Sequence, residues 1–365
     1  MSDLDLDRRA AGLLCVGFHG TSPSPEVLEL VRRGVHGVVL FARNVVDAEQ
    51  VARLVAALKR AAGRPLLVAV DQEGGRVARL RAPQGFTELP PMRALGEAGD
   101  EELAREVGRL VGRELRAVGI DQDYAPVVDV DTNAANPVIG DRALSRDPRT
   151  VARLGAAIAA GLQDAGVAAC AKHFPGHGDT SQDSHRDLPR LPHPLERLLE
   201  VELVPFVALA RAGVAAVMTA HVVFEALDPR RPATLSPEAM ALLRTRVGFT
   251  GCAISDDLQM KAVAEHFTLE EAAPGAVAAG CDALLVCHDA DVQHRVIDLV
   301  RGAVESGRLP RERLLEASGR VAGLLRWAGP PPDPARVREA LRTPASLALA
   351  ARIPVLAAGR DPTAA

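Results

Sequence analysis

At 365 residues the chain has room for one large domain or two average ones, and 48% hydrophobic with 25% charged residues is the composition of an ordinary globular protein. A formal net charge of −4, with no lysine- or arginine-rich run, excludes a surface built to counter a phosphate backbone, so nucleic acid is not an expected partner. No stretch reaches the roughly 18 uncharged apolar residues that span a bilayer, and the acidic start is the reverse of a secretory leader.

In chain order, short apolar runs at 13–18, 37–41, 66–70, 122–126, 167–172, 215–220, 252–255 and 283–287 read as strands. Between and after them, stretches of helical period lie near 24–33, 47–62, 99–118, 148–165, 195–212, 236–246, 268–279 and 290–306. Strands that are almost continuously apolar and alternate with amphipathic helices indicate a parallel sheet covered by helices. Eight such units predict an α/β fold, a (β/α)8 TIM-like barrel, although an open doubly wound sheet satisfies the same alternation. Pro274 inside the seventh helix predicts a late start or a kink. The reading is of a single domain: a catalytic barrel over 1–328, then a Pro-rich and helical extension over 329–365, partly loose, with one helix expected over 335–351.

Polar residues collect where the strands end. Asp71 follows the third, Asp129 and Asp131 the fourth, Lys172 and His173 close the fifth, His221 follows the sixth, Asp256 and Asp257 the seventh, and His288 the eighth. In a barrel these ends converge on one face, whereas in an open sheet they are strung along an edge.

Four segments carry chemistry. The run KHFPGHGDTSQDSH, from Lys172 to His185, contains a proline and two glycines that stop helix or strand, so a flexible loop is expected to leave the fifth strand. Its histidines and aspartates admit three readings. They are incidental to a surface loop, or a metal site for which the spacing fits no helical or knuckle pattern, or an acid–base pair. In the last case Asp183 and His185, two apart, meet in a turn and the carboxylate orients the imidazole and raises its basicity. In ISDDLQM, two adjacent carboxylates end a buried strand; Asp256 is the candidate nucleophile, and Asp257 reads equally as a helix cap. DQEGGRVAR brings Asp71, Arg76 and Arg79 together as a structural ion pair or a hydroxyl-binding cluster. The loop after the fourth strand leads to Arg142, a further candidate cation for a ligand.

Together these segments resemble family 3 of the glycoside hydrolases, most closely its β-N-acetylglucosaminidase branch, which acts in bacterial peptidoglycan recycling. The resemblance runs from Gly37 to Cys287. KHFPGHG followed by DSH is its most specific part, and DQEGGR and SDDL support it. It implies a retaining hydrolase that removes terminal β-linked N-acetylglucosamine. Asp256 would be the nucleophile, His185 the acid/base and Asp183 its dyad partner. Asp71, Arg79, Arg142, Lys172 and His173 would hold the sugar.

No metal or organic cofactor is required by this scheme. The expected partner is a small carbohydrate, a muropeptide or chitooligosaccharide bearing N-acetylglucosamine, with no membrane or nucleic acid, and the protein is expected to be a monomer. Eight Phe, one Tyr and one Trp offer few faces on which to stack a long polysaccharide, which suits a small polar pocket. Five cysteines without metal-type pairing read as buried thiols of a reducing compartment, so a cytoplasmic location is expected. Rival readings are a phosphorylase, a β-glucosidase or β-xylosidase of the same family, and a catalytically silent sugar-binding barrel.

Overall fold

The computed structural model describes residues 3–181 and 188–353. Eight strands close into a barrel: β1 (Leu14–Val16), β2 (Gly37–Leu40), β3 (Leu67–Val70), β4 (Gln122–Asp123), β5 (Ala168–Phe174), β6 (Ala216–Thr219), β7 (Cys252–Asp257) and β8 (Ala283–Val286). Each pairs in parallel with its sequence neighbours, and β8 returns to β1, so no barrel strand is left as an edge.

A helix follows each strand: α1 (Pro25–Arg33), α2 (Ala48–Ala62), α3 (Glu101–Ala117), α4 (Pro148–Asp164), α5 (Leu203–Arg211), α6 (Pro237–Thr245), α7 (Leu269–Ala279) and α8 (Ala290–Glu305). Local chemistry explains where they start. Ser24, Asp47, Asp100, Asp147, Ser236 and Asp289 each accept backbone N–H groups of a first helical turn. Proline occupies the opening of α1, α4 and α6, where its missing N–H costs nothing. The open alternative, a doubly wound sheet, is thereby excluded, and the expected elements are all present to within a few residues.

Four details differ from expectation. Helix α7 does not start late at Pro274: a reciprocal cap between Thr268 and Glu271 fixes its start at Leu269 and the proline lies inside it. Helices over Asp3–Ala11 and Arg311–Leu324 add to the reading. The stretch 335–351 is two short helices, Val337–Ala340 and Pro344–Ala350, rather than one. Arg342 between them takes φ 48° and gives its N–H to the buried Glu114 of α3, which interrupts the helix.

At Gly329 the start of the tail is tied to the base of the barrel by a buried carboxylate. Asp121, fully buried just before β4, accepts from Lys59 of α2, Arg116 of α3 and the Gly329 N–H. Among the described residues, no helix is long and apolar enough to cross a membrane.

Candidate active site

The C-terminal ends of the strands open into one pocket with an empty volume of about 780 Å³, part of it open to solvent. Asp71, Arg79, Arg142, Lys172, His173 and Asp256, drawn from sequence positions far apart, all line it. Asp183 and His185 lie outside the described residues.

On the β3 side the floor is a buried ionic lattice. Lys172 Nζ lies 2.8 Å from Asp71 Oδ1 and 2.5 Å from Glu73 Oε1. Arg142 grips Glu73 with two parallel bonds of 2.8 Å, and Arg79 reaches Asp71 at 3.4 Å. Burial alone would raise the carboxyl pKa values, but Lys172 and Arg79 hold Asp71 below its usual range, and Arg142 and Lys172 hold Glu73 well below it. Burial would likewise neutralise Lys172, yet Asp71 and Glu73 push its ammonium the other way. Asp71, Glu73 and Lys172 therefore carry charge at neutral pH, and with the guanidinium groups of Arg142 and Arg79 three cations meet two anions. Such fixed charges can bind sugar hydroxyls without reorganising.

Glu73 is the residue the sequence reading passed over. It lies inside DQEGGR, but its inward turn depends on a short ribbon, Gln72–Gly74 against Val77–Ala78. Gly74 and Gly75 adopt φ of 98° and 55° to make that ribbon turn. The Gln72 side chain locks it, accepting from the Arg79 and Leu80 N–H groups and donating to the Leu80 carbonyl. Arg76 leaves this cluster for Asp141 and the carbonyls of Val138 and Ile139, which is the structural alternative for that residue.

His173 is oriented by Asp129, which the reading placed at a strand end without giving it a role. Asp129 Oδ2 lies 2.7 Å from His173 Nδ1, and its Oδ1 accepts the backbone N–H of His173 and of His177. Despite its burial, His173 and these donors keep Asp129 ionised, so Nδ1–H donates and Nε2 is the remaining ring nitrogen. The peptide between Lys172 and His173 is cis. His177 is buried beside His173, and burial together with that neighbour lowers its pKa to about 4, so it stays neutral.

The Gly-rich stretch after β5, expected from its composition to be a flexible loop, is held by packing contacts as far as Thr180, and its part with Asp183 and His185 lies outside the described residues. Asn136 donates to the carbonyls of His177 and Gly178, and a Cβ on Gly178 would overlap the Val130 carbonyl oxygen. Glycine here permits close backbone packing rather than motion. Asp179 accepts from Thr132 and pairs with His193 on the far side of the 182–187 segment.

Two ladder irregularities explain how neighbouring residues share one pocket. Successive side chains of a strand face opposite ways, yet Lys172 and His173 both line the pocket, as do Asp256 and Asp257. The register slips between Ala171 and Phe174 where β5 meets β6, and between Ile254 and Asp257 where β7 meets β8. An extra residue on one strand re-aims the side chains that follow. Asp257 does not cap a helix: its Oδ1 accepts the N–H of Gln259 and Cys287, its Oδ2 lies 3.2 Å from His288 Nε2, and the next helix begins only at Lys261. Among the described residues, no three of His, Cys, Asp and Glu are grouped so as to hold a metal ion.

The model of the glycosyl hydrolase family 3 N terminal domain matches residues 6–324 of this chain. The chain belongs to that family. A β-hexosaminidase of Bordetella parapertussis is 42% identical over 312 residues, which cover 83% of this chain and 88% of that protein. Among solved structures, a family 3 β-N-acetylglucosaminidase from Paenibacillus sp. superposes with a TM-score of 0.88 at 41% identity, covering 95% of this chain and 68% of the other. NagZ from Neisseria gonorrhoeae, solved with N-trifluoroacetyl-D-glucosamine, gives a TM-score of 0.77 at 35% identity over 94% of this chain and 97% of that one. This family 3 member is thus a β-N-acetylhexosaminidase, a carbohydrate-processing hydrolase.

Proposed function

We propose that the enzyme is a retaining β-N-acetylglucosaminidase that removes terminal β-linked N-acetylglucosamine from peptidoglycan fragments. The observation that carries this reading is the convergence of Asp256 with Asp71, Arg79, Arg142, Lys172 and His173 around one pocket at the C-terminal ends of the strands. That a relative binds N-trifluoroacetyl-D-glucosamine supports a 2-acylamino sugar as the ligand.

In the proposed mechanism Asp256 attacks the anomeric carbon as protonated His185, paired with Asp183, gives its proton to the leaving oxygen. The C–O bond breaks and a glycosyl-aspartate forms. Neutral His185 then takes a proton from water, whose oxygen displaces Asp256 from the anomeric carbon. Asp71, Lys172, Arg79 and Arg142 hold the ring hydroxyls, the buried Glu73 fixes Lys172 and Arg142 from beneath, and Asp129 orients the His173 ring to do the same. The five cysteines, all free and buried, suit a cytoplasmic setting, and we take the active unit to be a monomer.

The test is an aryl β-N-acetylglucosaminide assayed with wild type, Asp256→Ala and His185→Ala, with and without phosphate. Asp256→Ala should abolish turnover. His185→Ala should keep far more of its kcat/KM on a substrate with a very acidic leaving group than on a poor one. Near-wild-type turnover by Asp256→Ala overturns the nucleophile assignment, and a product that forms only with phosphate overturns hydrolysis.

A further inference from the structure

The β7–β8 irregularity lies at the proposed nucleophile, and side chains maintain it. Ile254 is opposite Ala283 and Asp257 opposite Leu285, so three steps on β7 meet two on β8. On its other edge β7 stays in register with β6 through Ser255 opposite Thr219. A bulge strands ladder groups that a regular strand would pair. Here Ser255 Oγ accepts the Leu285 N–H at 3.1 Å, and the Leu285 carbonyl accepts from Leu258 N–H at 3.0 Å.

The Asp257 carbonyl is taken by His221, whose Nε2 lies 3.0 Å away. A carbonyl only accepts, so Nε2 carries the hydrogen. Nδ1 lies 2.8 Å from the Thr234 hydroxyl, which in turn is 2.9 Å from the Thr219 hydroxyl and donates to the Ala220 carbonyl at 3.1 Å. His221, Ser255, Thr219 and Thr234 are all buried, and none of them lines the pocket.

We infer that Ser255 and His221 are positioning residues that hold the β7 bulge and thereby aim Asp256 at the anomeric carbon. The inference rests on the reading of Asp256 as nucleophile. A regular β7 would send Asp256 and Asp257 to opposite faces of the barrel wall. Filling the stranded ladder positions with a hydroxyl and an imidazole makes the bulged arrangement the stable one. The hydroxyl of the SDD segment and the histidine after β6 acquire a role that no sugar contact supplies.

The experiment uses the full chain with Ser255→Ala, Ser255→Thr, His221→Ala and His221→Gln, beside Asp256→Ala and His185→Ala. Glutamine keeps an N–H donor at a similar reach, and threonine keeps the hydroxyl. Three quantities are read well below each variant's Tm: kcat/KM on aryl N-acetylglucosaminides with good and poor leaving groups, and the Kd for free N-acetylglucosamine. Ser255→Ala and His221→Ala should lose about 10- to 100-fold in kcat/KM, by the same factor for both leaving groups, while the Kd for the sugar stays within about threefold. The Gln and Thr variants should recover most of the loss, and they carry the comparison if an alanine variant does not fold. Unchanged kcat/KM, a loss that appears in sugar Kd instead, or Gln and Thr variants no better than alanine overturns the inference. Turnover by Asp256→Ala would instead sink the nucleophile reading, which separates the two failures.

Discussion

Glu73 makes the most demanding test of the buried lattice. Its side chain is 1% exposed and its charge balances both Arg142 and Lys172, themselves 2% and 3% exposed. Glu73→Gln keeps the volume and one acceptor oxygen but removes the charge and turns an amide donor toward a cation. Deleting one partner of a buried pair leaves an uncompensated charge, at about 3–5 kcal/mol. At about 2.1 cal/mol/K per residue, a 365-residue chain unfolds with roughly 0.8 kcal/mol/K of entropy, so the loss is about 4–7 °C in Tm. Because Glu73 is held below its unfolded value of 4.5, it contributes stability that is complete above about pH 5 and lost as pH falls below it. The Tm gap between wild type and variant should therefore be widest near neutrality and narrow in acid. Calorimetry across pH reads the stability. Steady-state kinetics should show kcat/KM down about 10²-fold, since Lys172 and Arg142 lose the group that fixes them. A Tm within about 1 °C of wild type, or a gap that widens in acid, would refute the reasoning: the lattice would then recover in pairing no more than it spends in desolvation.

Two further outcomes follow from the same structure. His36 is fully buried, and burial lowers its pKa from 6.5 to about 4, so the native state resists a proton that the unfolded chain accepts. Wild-type stability should fall by roughly 3 kcal/mol between about pH 6.5 and 4 on this account, and His36→Gln should show that much less acid sensitivity in chemical denaturation. An equal slope for the two proteins would remove His36 from the explanation. Gly178→Ala should be destabilising and depress turnover, because the new methyl meets the Val130 carbonyl and must push apart the β4 and β5 loops. Unaltered Tm and kcat would show that the loops yield at no cost.

The architecture was legible because it rests on local periodicity. Apolar runs of strand length, capped helices and polar strand ends are properties of neighbouring residues, whereas closure rather than an open sheet is fixed by the pairing of β8 with β1. Asp71, Lys172, His173 and Asp256 were visible for the same reason, as ionisable residues ending apolar strands. Arg79 and Arg142 were legible only as charges in loops. Arg79 is oriented by Asp71, 8 residues away in sequence, and Arg142 by Glu73, 69 residues away.

Only the tertiary structure decided the rest. Glu73 reads as an ordinary charge in a turn until the Gln72 ribbon folds it under Lys172. Glycines in KHFPGHG suggest a flexible loop, yet the backbone of Val130 fills the space that a side chain would need, so the stretch packs tightly. Asp256 and Asp257 obey a strand alternation that would part them, until the β7–β8 register slip brings both to the mouth. Sequence determines which residues alternate and where chains turn, because those preferences act within a few residues. Long-range partners, register slips and backbone contacts set which charges meet, and they exist only once the barrel closes.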